Sequence, residues 1–196
     1  MPSGAAAIPR ILKMNHTALS IEMQNALVSA IPFAAADELR MVELGAGAGL
    51  LTDALLSRFS RATVIAFESS GSMRQEAAER LACFGDRARL RPFELATLDW
   101  WDAMFGADLV VSSMCLHQLN DARKQYLYKA AADRLSPRGA FLAADRLEPQ
   151  QLLRHLVWLK HAGFQAVDCF WLRDGHAVFG GFKQAGASAA RSPADS

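Results

Sequence analysis

Val42-Glu43-Leu44-Gly45-Ala46-Gly47-Ala48-Gly49-Leu50-Leu51-Thr52 sets three glycines between a short apolar run and a helical pattern. The run, residues 39–44, is apolar and ends in the glycines, as a buried parallel strand does. Beyond the glycines, apolar residues at 50, 51, 54, 55 and 59 have helical spacing. Glycine permits positive φ in such a turn and lets a ligand approach the backbone closely. The spacing narrows the ligand. A dinucleotide loop of the form G-x-G-x-x-G needs its third glycine at position 50, which is Leu50. A P-loop needs a lysine after its last glycine, and none follows. Glu43, just before the loop, repels phosphate and suits a ligand with a cationic amine.

The alternation continues along the chain. Residues 63–67 are β-branched and read as a second strand. Residues 72–84 read as a helix with Ser72 as N-cap and Gln75 three residues on. Residues 89–93 form a weak third strand, and 108–111 a strong fourth. Residues 121–135 are helical and stop at Ser136-Pro137-Arg138-Gly139. A fifth strand at 140–144 precedes a helix at 149–161, which Pro149 opens and Gly163 ends. Two last strands, 167–172 and 177–182, have only four residues between them. A crossover does not fit in that length, so they pair as an antiparallel hairpin. The expected fold is a doubly wound α/β sheet of seven strands, mostly parallel, with an antiparallel C-terminal hairpin strand.

Acids recur where open parallel sheets bind ligands, at the carboxyl ends of strands. Glu68 ends the second strand, 23 residues after Gly45, where a carboxylate accepts from both ribose hydroxyls of a nucleoside. Glu94 follows the third strand, where the edge of an adenine would lie.

Composition agrees with one globular unit. The chain has 196 residues, 52% hydrophobic and 21% charged. Lys plus Arg number 21 against 20 Asp plus Glu, a balance that argues against a nucleic-acid partner held by a broad basic field. Cys83, Cys115 and Cys169 lie far apart, without metal-ligand or disulfide spacing; they read as reduced, buried thiols, with no metal site and a cytoplasmic location expected. No stretch approaches the 18 or so apolar residues of a membrane span, so no membrane partner is expected. The organisation expected is a tail and helix over 1–37, the sheet domain over 38–184 and a disordered tail over 185–196.

Four stretches in order resemble class I S-adenosylmethionine-dependent methyltransferases. VELGAGAGLLT (42–52) is similar to the first motif, VIAFESSGSM (64–73) to the second, FELATLDW (93–100) to the adenine-edge loop and ADLVVSSMCLHQL (107–119) to the fourth strand and its loop. The last helix and hairpin (158–183) also resemble the endings of many small-molecule methyltransferases. Glu94 departs from the pattern, where Asp is commoner. The resemblance implies a Rossmann-like sheet and S-adenosyl-L-methionine as cofactor. It implies cofactor contacts at Glu43, Gly45, Ala46, Gly47, Gly49, Glu68, Ser69, Met73, Glu94, Leu95, Ser112 and Ser113. The reaction implied is in-line displacement at the activated methyl by a small or medium-sized organic acceptor, with a general base only where the nucleophile must lose a proton.

His117, in the loop after the fourth strand, is the candidate base. Asp145 and Arg146, ending the fifth strand, and His16, ahead of the first, are candidate acceptor contacts. His155, His161 and His176 read as surface or hairpin residues, and Trp100-Trp101 as an anchor for the adenine loop. Only Leu147 and Glu148 separate the fifth strand from Pro149, which leaves almost no room for a cap. The segment 11–33 can supply one helix, with Leu19, Met23, Leu27 and Ile31 as its apolar stripe. The acceptor side is therefore expected to be open. Three arrangements fit: a bulky or macromolecular acceptor, a homodimer whose second copy covers the site, or a non-catalytic cofactor-binding or interaction module. An enzyme that modifies the cofactor itself is a further alternative.

Overall fold

A computed structural model of the chain describes residues 10–95, 97 and 100–184, with backbone alone for 10–17. The expected tail over 185–196 lies outside the described residues. The elements run α1 (Arg10–Ser29), β1 (Arg40–Leu44), α2 (Leu50–Arg58), β2 (Thr63–Phe67), α3 (Gly71–Leu81), β3 (Ala88–Arg91), β4 (Leu109–Ser113), α4 (Asp121–Arg134), β5 (Ala140–Arg146), α5 (Pro149–Ala162), β6 (Ala166–Arg173) and β7 (His176–Phe182). Short 3-10 segments occupy Ala82–Arg87, which is kinked at Gly85, Trp101–Met104 and Leu116–Gln118.

The strands form one seven-stranded sheet in the order β3-β2-β1-β4-β5-β7-β6. All neighbours are parallel except β7, which runs antiparallel to both β5 and β6. This is the sheet expected from the alternation. The strand order reverses between β1 and β4, and a crevice opens there beyond the carboxyl ends.

Alternation along the strands divides the core into two layers. Met41, Val111 and Leu142 face α1 and α2, where Met23, Leu27, Leu51 and Leu55 are buried. Val42, Val110 and Phe141 face α4 and α5, where Leu127, Tyr128, Leu152 and Leu159 are buried. The expected stripe of α1 is buried at Met23 and Leu27, and again at Ile31 just past the helix end.

The boundaries have local causes. Ser70, not Ser72, caps α3: it is extended, and its Oγ accepts from the Met73 N–H at 3.4 Å. β3 stops at Arg91 because Pro92 has no N–H for the ladder. α5 opens with a capping box between Glu148 and Gln151 around Pro149 and closes on left-handed Gly163. Asp174 and Gly175 both take positive φ, 48° and 71°, so the β6–β7 hairpin turns in two residues. Of the three free cysteines, Cys115 is buried and Cys169 half-buried, but Cys83 lies exposed in the turn after α3. Among the described residues no helix is long and apolar enough to cross a membrane.

Candidate active site

The glycine loop is pinned by its neighbours. Gly45 and Ala46 both donate backbone N–H groups to the Phe67 carbonyl at the end of β2, each at 2.9 Å. Glu68, the next residue, accepts from the Gly47 N–H at 2.8 Å through one oxygen and from the Ser70 N–H at 2.9 Å through the other. Its carboxylate therefore joins the glycine loop to the β2–α3 turn. Arg74 holds that turn from outside, donating to the Glu68 and Ser69 carbonyls at 2.7 Å. Arg80 donates to the Ala48 carbonyl at 2.8 Å.

Two glycines in the loop are needed for different reasons. A Cβ on Gly45 would lie 2.6 Å from Cys115 Sγ and 2.7 Å from its Cβ. A Cβ on Gly47 would meet only the Met73 methyl, at 3.8 Å, and would otherwise project into the crevice. Both have positive φ, 78° and 55°. Gly45 is small so that the protein can close; Gly47 leaves space that the protein does not fill.

Glu43 points from β1 toward α2, buried, and accepts the Thr52 hydroxyl hydrogen bond. Burial pushes its carboxyl up to about 7 despite that hydrogen bond, and the nearby Glu68 charge adds to the rise. Such a carboxyl is receptive to a cationic partner. Ser69 is exposed and Met73 partly so. Glu94 is exposed beyond β3, and its carbonyl accepts from Thr97 and from Trp100 Nε1. Ser112 is committed to the Leu44 carbonyl at 3.1 Å, while Ser113 is half-buried. Trp100 and Trp101 are buried and extend the ring series Phe67–Phe93–Trp100–Trp101–Tyr126, with neighbouring centroids 4.6–5.7 Å apart. They anchor the loop carrying Leu95, and with it they also wall a cleft of about 230 Å³ against α4.

Across the crevice, β4 and β5 bring together two residues 28 positions apart. His117 Nδ1 lies 2.8 Å from Asp145 Oδ1, and the His117 backbone N–H donates to Oδ2 at 2.9 Å. The Arg146 N–H donates to Asp145 as well, at 2.8 Å. Asp145 is 1% exposed, whereas the His117 side chain is 47% exposed. Toward a carboxylate oxygen Nδ1 is the donor, and in the neutral ring that tautomer leaves Nε2 as an acceptor. The sequence reading offers Asp145 to the acceptor; the structure corrects this, because three protein donors enclose it behind His117. Arg146 is exposed at the end of β5. His16 falls within α1, one turn before Leu19, and its side chain lies outside the described residues.

His155 is also corrected. It is 2% exposed, hydrogen-bonded to the Tyr128 hydroxyl and packed on the rings of Trp158 and Phe179. Burial pushes its imidazole down to about 4, with Lys124 adding to the fall. The signal was available: 152, 155, 159 and 162 lie along one face of α5, and all four are buried.

Residues 42–141 match the family described as a methyltransferase domain, and the chain belongs to that family. Among solved structures it is similar to an O-methyltransferase family protein from Burkholderia thailandensis, at 18% identity and a TM-score of 0.69, over 86% of this chain and 57% of that one. It is similar to a possible exported protein from Bordetella parapertussis, at 16% identity and a TM-score of 0.73, over 94% of this chain and 76% of that one. Human N-acetylserotonin methyltransferase in complex with S-adenosylmethionine has 16% identity and a TM-score of 0.64, over 83% of this chain and 52% of that one. At these identities the likeness is one of fold. The chain spans a little over half the length of the Burkholderia and human proteins. No curated protein matches its sequence.

Proposed function

We propose that the chain transfers the methyl group of S-adenosylmethionine to a hydroxyl of a small or medium-sized organic acceptor, with His117 as general base. The observation that carries this reading is the His117–Asp145 pair, a half-exposed imidazole fixed by a buried carboxylate at 2.8 Å. A base is needed only when the nucleophile must shed a proton, which favours a hydroxyl over an amine or thioether.

The residues of the crevice fit the cofactor. Gly47 leaves open the space that a bound molecule would fill. Glu43 suits the ammonium of an amino acid, and Glu68 has acceptor capacity left for ribose hydroxyls beyond its two backbone donors. The cofactor, when bound, supplies a methyl already activated on sulfonium. The protein then aligns the reactants and removes the proton. As the acceptor oxygen gains the methyl, its proton passes to His117 Nε2. Asp145 holds the ring in the tautomer that leaves Nε2 free and stabilises the imidazolium that forms. Because the His117 side chain stays half-exposed, a second copy of the chain is the cover this reading expects over the site.

Calorimetry with S-adenosylhomocysteine and turnover with a hydroxyl acceptor test the proposal. His117→Ala should bind S-adenosylhomocysteine as the wild type does and lose about 10²–10⁴-fold in transfer rate. Wild-type protein that gives no heat with S-adenosylhomocysteine, or a variant with undiminished turnover, would overturn the reading.

A further inference from the structure

His176 reads from the sequence as a hairpin residue, yet the fold carries it to the acceptor side. The β5–β7 register sets Arg146 opposite His176 and Asp145 opposite Ala177. Directly opposed residues share a face. Ala144 packs in the layer under α1, so alternation puts Arg146, and His176 with it, on that same face. His176 thus stands beside the end of β5, one register position past Asp145, whose side chain alternation turns to the other face, so that the two histidines flank the strand end.

On that face Leu19, Ser20, Met23, Met114 and His176 line a cleft of about 150 Å³. Its size and lining select an occupant. An apolar cavity of roughly this volume holds a single aromatic ring. Leu19 and two methionine thioethers, which pack well against rings, make the walls. Met114 takes a φ of 51° and is held there by its N–H on the Ala144 carbonyl at 2.8 Å. Non-glycine residues in that region are uncommon and gather at binding sites. The polar lining is Ser20 and His176. His176 Nδ1 lies 2.9 Å from the Asp174 carbonyl oxygen. A carbonyl only accepts, so Nδ1 carries the proton and Nε2 of the neutral ring is an acceptor. His176 and His117 are therefore set alike, each with Nδ1 spent on an oxygen and Nε2 left to take a hydrogen bond.

We propose that His176 is a specificity-determining residue of the acceptor site. The acceptor it selects is a single-ring aromatic compound bearing a second hydrogen-bond donor, a hydroxyl or amine, besides the hydroxyl to be methylated. The second donor bonds to His176 Nε2 while the reacting hydroxyl meets His117. This rests on the methyl-transfer reading above.

Phenol and the three dihydroxybenzenes are suitable probes on the full chain. At saturating S-adenosylmethionine, at least one dihydroxybenzene should show a KM about tenfold below that of phenol, the worth of one added hydrogen bond. His176→Ala should erase that preference, bringing the KM of the dihydroxybenzene up to that of phenol, while the affinity for S-adenosylhomocysteine stays unchanged. His176→Gln, whose amide oxygen still accepts, should restore part of it. A His176→Ala variant that keeps the preference, a wild type that shows none, or a wild type that takes none of the probes overturns the proposal. The ¹⁵N resonance of His176 Nε2, followed without cofactor, separates the two readings. A shift on adding a dihydroxybenzene to protein that fails to bind S-adenosylhomocysteine would sink methyl transfer and keep the ring-binding cleft. S-adenosylhomocysteine binding with no such shift would sink the cleft alone.

Discussion

The two halves of the crevice are made of different materials. On the β1–β2 side the ligand-facing surface is largely backbone: glycine N–H groups and turns held by Phe67, Glu68, Arg74 and Arg80. On the β4–β7 side it is side chains, with His117, His176 and Met114 projecting from separate segments and α1 lying against the last two. A backbone surface is fixed once its strands pair, and added bulk spoils it. A side-chain surface can be exchanged residue by residue on the same frame. On the function proposed above, the first half is the one that would hold the cofactor and the second the one that would set this chain's preference.

Substitution in the backbone half should have the larger effect on cofactor affinity. Gly47→Leu places bulk in the unfilled space, where overpacking costs roughly 3 kcal/mol, about a hundredfold or more in affinity for S-adenosylhomocysteine. Calorimetry reads the loss, and a melting curve close to that of the wild type would place the damage in the site. Retained affinity would move the cofactor elsewhere.

A smaller effect follows from Glu43. Its carboxyl is raised to about 7, so below that pH the free protein holds it mainly protonated. A cationic ligand prefers the ionised form. Affinity for S-adenosylhomocysteine should then rise with pH between about 5 and 7, by at most about tenfold per unit, and flatten above. Proton release on binding, measured in buffers of different ionisation enthalpy, checks the sign, and Glu43→Gln should abolish it. Proton uptake in the wild type would show that Glu43 does not meet the ligand's amine.

The smallest effect lies outside both halves, in the layer under α5. His155 falls from an ordinary value of 6.5 to about 4, so between those values the unfolded chain binds the extra proton. Stability should rise with pH across that window, with about 2 kcal/mol lost between pH 7 and pH 5. Urea unfolding at the two pH values measures it, and His155→Phe should flatten the dependence.

The same contrast explains what the sequence could reveal. The glycine loop, Glu68 and the strand order are legible because contiguous residues specify them: a glycine at positive φ or an acid after a strand constrains its own neighbourhood. The Asp174-Gly175 turn is equally local. The His117–Asp145 pair is not, since each residue alone is an ordinary strand-end polar group and only the β4–β5 register joins them. The cleft under α1 draws on three separated segments, around Leu19–Met23, Met114 and His176, so no window of sequence contains it. His155 is legible from the face of α5, where it lines up with Leu152, Leu159 and Ala162, although a lone histidine taken by itself reads as polar.

The contact between Gly45 and Cys115 has one more consequence. The thiol is no reagent: burial, with the charges of Asp145 and Glu68, pushes it up to about 12. Its importance is its bulk. With less than a methyl group's clearance between the two residues, the glycine loop after β1 rests on the loop after β4 that carries His117. They act as two parts on a shared bearing, and the size of residue 115 is the shim that sets how far apart the two loops are held.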